Sequence, residues 1–182
     1  RGVEVSYSTG GKAYTVRGKH CILACYNAMI PHLCPELPES QKEHLGYGEK
    51  VPLVMTNVLL RSGAALDAAG GAQYQCPGSF YAFVTKSPPV NIGSHKAWSQ
   101  GNDPVVLWMA HAPAPPNDGS QTTRDLFRAG RHILYATPFA TYEAAVKDQL
   151  TGMFGAHGFD AERDIEAITV NRWSHGYSYR YS

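Results

Sequence analysis

The residues best suited to chemistry lie near the end of the chain, in Thr169-Val170-Asn171-Arg172-Trp173-Ser174-His175-Gly176-Tyr177-Ser178-Tyr179. Here a β-branched stretch runs into Trp173, Tyr177 and Tyr179, whose ring faces can surround a cationic amine. His175 can exchange a proton near neutral pH and so serve as an acid–base neighbour of a reacting group. Gly176 permits a close approach of backbone to a planar ligand, or a sharp turn. The same residue types also serve a plainer purpose. Aromatic rings fill the edge of a core, and a histidine can be a hydrogen-bonded structural group. Residue types alone leave both readings open.

Other chemistry is excluded by inspection. There is no G-x-S-x-G elbow, no phosphate-binding Walker loop and no H-E-x-x-H pair. Gly46-Tyr47-Gly48 begins like a dinucleotide fingerprint, but Val51 stands in the place of the third glycine and no strand precedes it. Each of those glycines has its own steric task against a pyrophosphate, so the segment reads as a loop. The four cysteines, Cys21, Cys25, Cys34 and Cys76, follow neither a disulfide framework nor a zinc spacing. Cys21 and Cys25 sit in an apolar run and read as small buried hydrophobes. A formal net charge of +1, with Lys and Arg scattered singly, gives no electrostatic footprint for nucleic acid. No apolar run approaches the length that spans a bilayer.

With 182 residues, 43% hydrophobic and 17% charged, the chain can build one good core. Val3, Val5 and Tyr7 alternate with Glu4, Ser6 and Ser8, and Gly10-Gly11 supplies a tight turn, so residues 3–17 read as a β-hairpin. Residues 20–25 form a continuous apolar run, the pattern of a strand buried on both faces. Residues 26–38 are irregular, and a helix is expected over 38–45. Strands follow at 51–60, 79–85 and 105–110, with 61–78 read as a small-residue loop. A helix over 124–135 would turn Leu126, Phe127, Ile133 and Leu134 to one side. A second is capped by Thr137, carries Pro138 in its first turn and ends at Gly155, with Tyr142, Val146, Leu150 and Met153 in one stripe. Asp160 caps a turn before a strand at 165–171. The order predicts a mixed α/β, or α+β, chain.

A resemblance extends along nearly the whole sequence. Arg17 to Asn27, Ile30-Pro31, Pro35-Glu36-Leu37-Pro38, Pro52-Leu53-Val54, Thr56 to Arg61, Cys76-Pro77-Gly78-Ser79, Asn171-Arg172-Trp173 and His175-Gly176-Tyr177 occur in order. Together they resemble FAD-dependent oxidoreductases of the amine-oxidase type, close to the bacterial spermidine dehydrogenases. The resemblance implies a two-domain FAD/NAD(P)-binding flavoprotein fold, of which this chain is an interior part. Residues 1–27 would belong to the edge of the FAD-binding domain. Residues 28–170 would form a substrate-binding domain with a mixed β-sheet flanked by helices, and 171–182 would return toward the flavin. Arg1 in place of an initiating Met, and the abrupt end at Ser182, fit that reading.

What the resemblance implies for function follows residue by residue. Ala24, Cys25, Tyr26, Asn27 and Gly176 would lie against FAD. Trp173, Tyr177 and Tyr179 would face the substrate, and His175 would be the acid–base group. The substrate would be an amine, specifically a polyamine such as spermidine, giving an imine and then an aldehyde. Its distal ammonium groups would want carboxylates, for which Glu36, Asp103 and Asp125 are candidates. Room is left for a haem, with His20, His32, Met109 and His111 as chemically competent ligands. The remaining N- and C-terminal segments of the flavoprotein would be the partners, because the glycine-rich unit that holds the FAD phosphates is missing here. This chain alone would then hold FAD weakly. Two other readings carry the same residues: a binding or assembly domain that kept the fold without the chemistry, and a flavoenzyme acting on a substrate other than an amine. Neither periplasm nor cytoplasm is selected.

Overall fold

Gly10 and Gly11 adopt φ of +55° and +74°, the left-handed pair that a two-residue hairpin turn requires. They join β1 (Val3–Thr9) to β2 (Lys12–Gly18) in the register the alternation predicts, with Val5 opposite Val16 and Tyr7 opposite Tyr14. Tyr7 and Tyr14 stack at 5.5 Å on one face, while Glu4–Arg17 and Ser6–Thr15 pair on the other. The computed structural model describes residues 2–97 and 101–177. The chain divides into two units, Arg1–Gly48 and Glu49–Ser182.

The first unit departs from expectation in one place. Residues 20–25 form no strand, and Cys21 and Cys25 are exposed rather than buried. A strand exists through ladder bonds to a neighbour, and among the described residues none pairs with this run; Ile22 keeps 90% of its surface. A 3₁₀ turn at Asn27–Met29, α1 (Ile30–Leu33) and α2 (Glu39–Tyr47) complete the unit, with Pro38 at the start of α2.

The second unit is built on β3 (Val51–Leu60), whose burial alternates strictly. Pro52, Val54, Thr56, Val58 and Leu60 face helices; Val51, Leu53, Met55, Asn57 and Leu59 face the other way. The segment read as a loop contains α3 (Ala64–Ala69) and β4 (Gln73–Gln75). β5 (Phe83–Lys86) is shorter than expected: residues 79–82 form a bend, in which Tyr81 alone is fully buried. β6 (Val105–His111) and β7 (Ile165–Tyr177) flank β3, giving the order β4-β5-β6-β3-β7. All its ladders are antiparallel, where a mixed sheet is the expectation.

Thr122 caps α4 (Thr123–Ala136) by accepting the Asp125 N–H. Its buried stripe is Leu126, Gly130 and Leu134; Ile133 lies outside it and is exposed. Thr137 does not cap the next helix. Its hydroxyl donates back to the Ile133 carbonyl, and Pro138 occupies the N-cap position of α5 (Phe139–Phe154). Tyr142, Val146, Leu150 and Phe154 are the buried stripe of α5, with Phe154 taking the place expected for Met153. Asp160 caps α6 (Ala161–Asp164) as predicted, accepting the Arg163 N–H. Val58, Leu60, Leu107, Met109, Val146, Leu150 and Phe154 meet in the core, and Tyr81 reaches through it to Thr56 at 3.0 Å.

Gly130 lets α4 pack against Pro52 of β3 and the Pro113 backbone. A Cβ there would lie 2.1 Å from the Pro113 carbonyl oxygen and 2.9 Å from Pro52 Cγ. Backbone cannot retreat as a side chain can, so Gly130→Ala is expected to cost about 2–4 kcal/mol. Gly152, exposed on α5 with nothing near its missing Cβ, gives the opposite sign. Gly152→Ala is expected to stabilise by about 0.5–1 kcal/mol through helix propensity. Urea midpoints of the two variants check both signs.

Candidate functional site

Among the described residues of the second unit, the helices pack on one face of the sheet, and the other face presents side chains that run from half-buried at its centre to exposed at Trp173 and Tyr177. Its centre is the row Leu53, Met55, Asn57 and Leu59 on β3. Registered beside it are Val106, Trp108 and Ala110 on β6, and Ala167, Thr169, Asn171 and Trp173 on β7. Phe83 and Thr85 continue the face onto β5. Trp173 and Tyr177 keep 55% and 65% of their surface, so they line an open wall and do not fill a core edge. Asn57 donates to Thr169 Oγ1 at 3.3 Å, and Asn171 donates to the Met55 carbonyl at 3.2 Å, which gives the wall a polar seam between its apolar ends.

The expected strand at 165–171 extends to Tyr177. The extension has a cause in the partner strand. Between Val51 and Leu53 lies only Pro52, whereas between their partners Tyr177 and Trp173 lie Ser174, His175 and Gly176. Proline brings no N–H to that position, and β7 bulges around it. Bulges re-aim side chains, and this one carries His175. Gly176 is needed inside it: a Cβ there would meet Leu53 Cβ at 2.5 Å and Trp173 Cβ at 2.9 Å. The close approach that Gly176 permits is therefore to Leu53 and Trp173 of the same sheet.

Beneath the bulge lies a charge cluster that sequence reading missed. Glu49, 7% exposed, accepts from Arg128 Nε at 2.9 Å and pairs with Arg131 Nη2 at 2.6 Å. Burial pushes its carboxyl upward, but the two guanidinium groups together outweigh that and hold it below the usual carboxylate value. The imidazole of His175 is drawn below its ordinary value, first by desolvation and then by the Arg131 charge; Lys50 adds to this and Glu49 opposes it. Nothing in the sequence marks the cluster, since Glu49 and Arg128 are 79 positions apart.

The other candidates are dispersed. Ala24, Cys25, Tyr26 and Asn27 lie in the first unit, where the Tyr26 hydroxyl donates to the Gly48 carbonyl at 2.8 Å. Tyr179 lies outside the described residues. Glu36 is exposed in the first unit. Asp125 is engaged in the first turn of α4, accepting from the Thr122 hydroxyl at 2.6 Å. Asp103 stands just before β6, at the opposite end of the open face from Trp173. In the second unit, Met109 and His111 form no haem site. Met109 is fully buried in the core, and His111 stacks on Phe80 at 4.2 Å with its Nδ1 against the Phe80 carbonyl. His20 and His32 belong to the first unit, and among the described residues no group of His, Cys, Asp and Glu could hold a metal ion. Also among those residues, no helix is long and apolar enough to cross a membrane.

Among the solved structures that share this architecture are two amine oxidases. One is a putrescine oxidase redesigned in its cofactor binding, with a TM-score of 0.58 and 11% identity over 86% of this chain. The other is cyclohexylamine oxidase from Brevibacterium oxydans IH-35A, with a TM-score of 0.56 and 14% identity over 94% of this chain. This chain has part of the amine-oxidase fold. It spans 29% and 32% of the length of those two chains. Comparison of the sequence with protein-family models and with curated proteins gives no match.

Two outcomes are expected of the charge cluster. Glu49→Gln should destabilise at neutral pH by about 2–3 kcal/mol, since it leaves two guanidinium groups facing a neutral amide. A carboxyl whose folded-state value is lowered contributes stability above its unfolded value and loses it as pH falls through the folded one. The gap between wild type and variant should therefore close in acid, below the carboxylate range, as read from urea midpoints at stepped pH. Separately, NMR titration should place the His175 midpoint below ~6.5, and Arg131→Gln should raise it.

Proposed function

We propose that this chain is part of an FAD-dependent oxidoreductase that oxidises an amine, with the open face of the second unit's sheet as the substrate-facing wall. The observation that carries the reading is that face itself: a helix-backed antiparallel sheet whose uncovered side presents Trp173, Tyr177, Trp108 and Leu53. Such a surface attracts a cationic amine to its ring faces. The likeness in fold to a putrescine oxidase and a cyclohexylamine oxidase supports it.

The residues present fit one portion of a flavin site and not another. An apolar and aromatic wall suits the neighbourhood of a planar ring. A helix N-terminus preceded by a glycine-rich turn, the usual phosphate cradle, is absent among the described residues. Ala24 to Asn27 are the residues of the first unit that would lie along the cofactor, and the phosphates would be held by other segments of the same flavoprotein. Bound FAD supplies the hydride acceptor.

The chain's own residues have the remaining tasks. Trp173 and Tyr177, with Tyr179 as a further candidate, orient the amine. His175, whose neutral form is favoured by desolvation and the Arg131 charge, takes the ammonium proton at a ring nitrogen, so that the lone pair needed for loss of hydride from the α-carbon is free. The imine that results takes up water to give an aldehyde and the released amine or ammonia. Among amines we favour a polyamine such as spermidine, as in the spermidine dehydrogenases the sequence resembles.

The test is the visible spectrum of the intact protein that carries this chain, before and after anaerobic addition of spermidine. Flavin bands that bleach are expected. Trp173→Ala should slow the bleaching at least tenfold while leaving the resting spectrum in place. Bands that persist with spermidine but bleach with another amine discard the polyamine. Absence of flavin absorption from natively purified protein would overturn the reading.

A further inference from the structure

From Leu53 to Leu59, the open-face rows of β3, β6 and β7 carry no charged side chain. The carboxylates expected for the distal nitrogen of a polyamine, Glu36, Asp103 and Asp125, all stand off this stretch. What the face offers instead is amide. Asparagine is depleted from strands, yet one stands at the half-buried centre of β3 and another on β7.

The two are held differently. Asn57 and Thr169 are register partners and engage each other at 3.3 Å. Asn171 is tied to backbone. Its Nδ2 donates to the Met55 carbonyl at 3.2 Å, and because a carbonyl only accepts, the nitrogen must be the near end of the amide. The oxygen is on the other branch of the same carbon and so is turned away from that carbonyl. No donor among the described residues bonds to it, and Asn171 is exposed. Trp173 is two residues further along the same face, about 7 Å of strand rise. Arg172, between them in sequence, turns to the helix side, where its Nη1 donates to the Thr137 carbonyl at 3.1 Å. Its charge is therefore kept off the face.

We infer that Asn171 is the residue that reads a second nitrogen of the substrate. With the reacting amine against the Trp173 ring, Asn171 Oδ1 accepts a hydrogen bond from a protonated nitrogen one short aliphatic spacer away. The inference rests on the reading of this face as the substrate wall, and gives that wall its selectivity for a diamine over a monoamine. An amide suits the place. Its oxygen attracts a charged donor more strongly than a neutral one, and its exposure leaves the cation part of its hydration shell, so no carboxylate is needed to offset desolvation.

The test is anaerobic flavin reduction in the intact protein that carries this chain, with putrescine and with butylamine, which is putrescine without its second nitrogen. The quantity read is the ratio of their second-order rate constants, from which a general loss through folding or flavin binding cancels. Wild type should favour putrescine. Asn171→Leu should lower the ratio about tenfold, the worth of a hydrogen bond from a charged donor, and the fall should appear in the half-saturating concentration. Asn171→Asp keeps the shape and adds a charge, and should raise the ratio roughly threefold. A wild type that does not favour putrescine overturns the inference. So does a ratio that Asn171→Leu leaves in place or that Asn171→Asp lowers, while Trp173→Ala still slows both amines. If no amine bleaches the flavin, or Trp173→Ala slows neither, the wall reading itself falls and this inference with it.

Discussion

Everything in the second unit depends on the alternate burial of one strand. Val54, Thr56, Val58 and Leu60 of β3 have no exposed surface, and Pro52 is buried with them. Each fully buried aliphatic side chain among them contributes about 1.5–3 kcal/mol against exposure. That gain exists only on the side where α4 and α5 lie. Because side chains alternate with a period of two, closing one face commits Leu53, Met55, Asn57 and Leu59 to the other. The wall is thus not an independent feature. It is the complement of the core, and a one-residue slip of β3 would send Trp173's partner Leu53 inward and bring Val54 out.

Pro52 ties this constraint to the candidate chemistry. On the helix side it packs where Gly130 leaves space for it. On the strand side it supplies no N–H, and β7 answers with the bulge that carries His175. Close by, Glu49 holds α4 through Arg128 and Arg131, so the start of β3 is fixed to the helix by charge as well as by packing. The histidine's surroundings follow from the same contact that seats the helix. Desolvation and the Arg131 guanidinium, itself paired with Glu49, draw the imidazole below its ordinary value.

The sequence made some of this legible and concealed the rest for physical reasons. β3 was readable to its end residues as an apolar run, but which of its faces is buried was not, since both carry apolar side chains. The stripe of α5 was readable from its helical period. The run at residues 20–25 misled, because a continuous apolar stretch reports affinity for burial, and burial on both faces needs neighbours that no described residue supplies. α3 was hidden among glycines and alanines, and it is held by Lys86 pairing with Asp67 at 2.7 Å, a contact between elements that no local pattern encodes. The aromatic and histidine types of the site were legible. The bulge was not, since it arises from a proline on another strand, and neither was the Glu49 cluster.

The first unit shows the other side of the same physics. Its hairpin has a polar face and an apolar one, yet Val3, Val5, Tyr7, Tyr14 and Val16 all remain exposed. A lone two-stranded hairpin is marginal in water, and a stacked tyrosine pair adds only about 0.5–1.5 kcal/mol to it. Ile22 and Leu23 of the following run are exposed as well. An amphipathic hairpin followed by a bare apolar run gains most of its stability only when both are covered. The second unit closes its own core and leaves a wall open to a ligand; the first has an apolar face and no core behind it. Any segment that packs on that face would supply the burial that these residues lack, and the hairpin gains its stability from that contact more than from its own pairing.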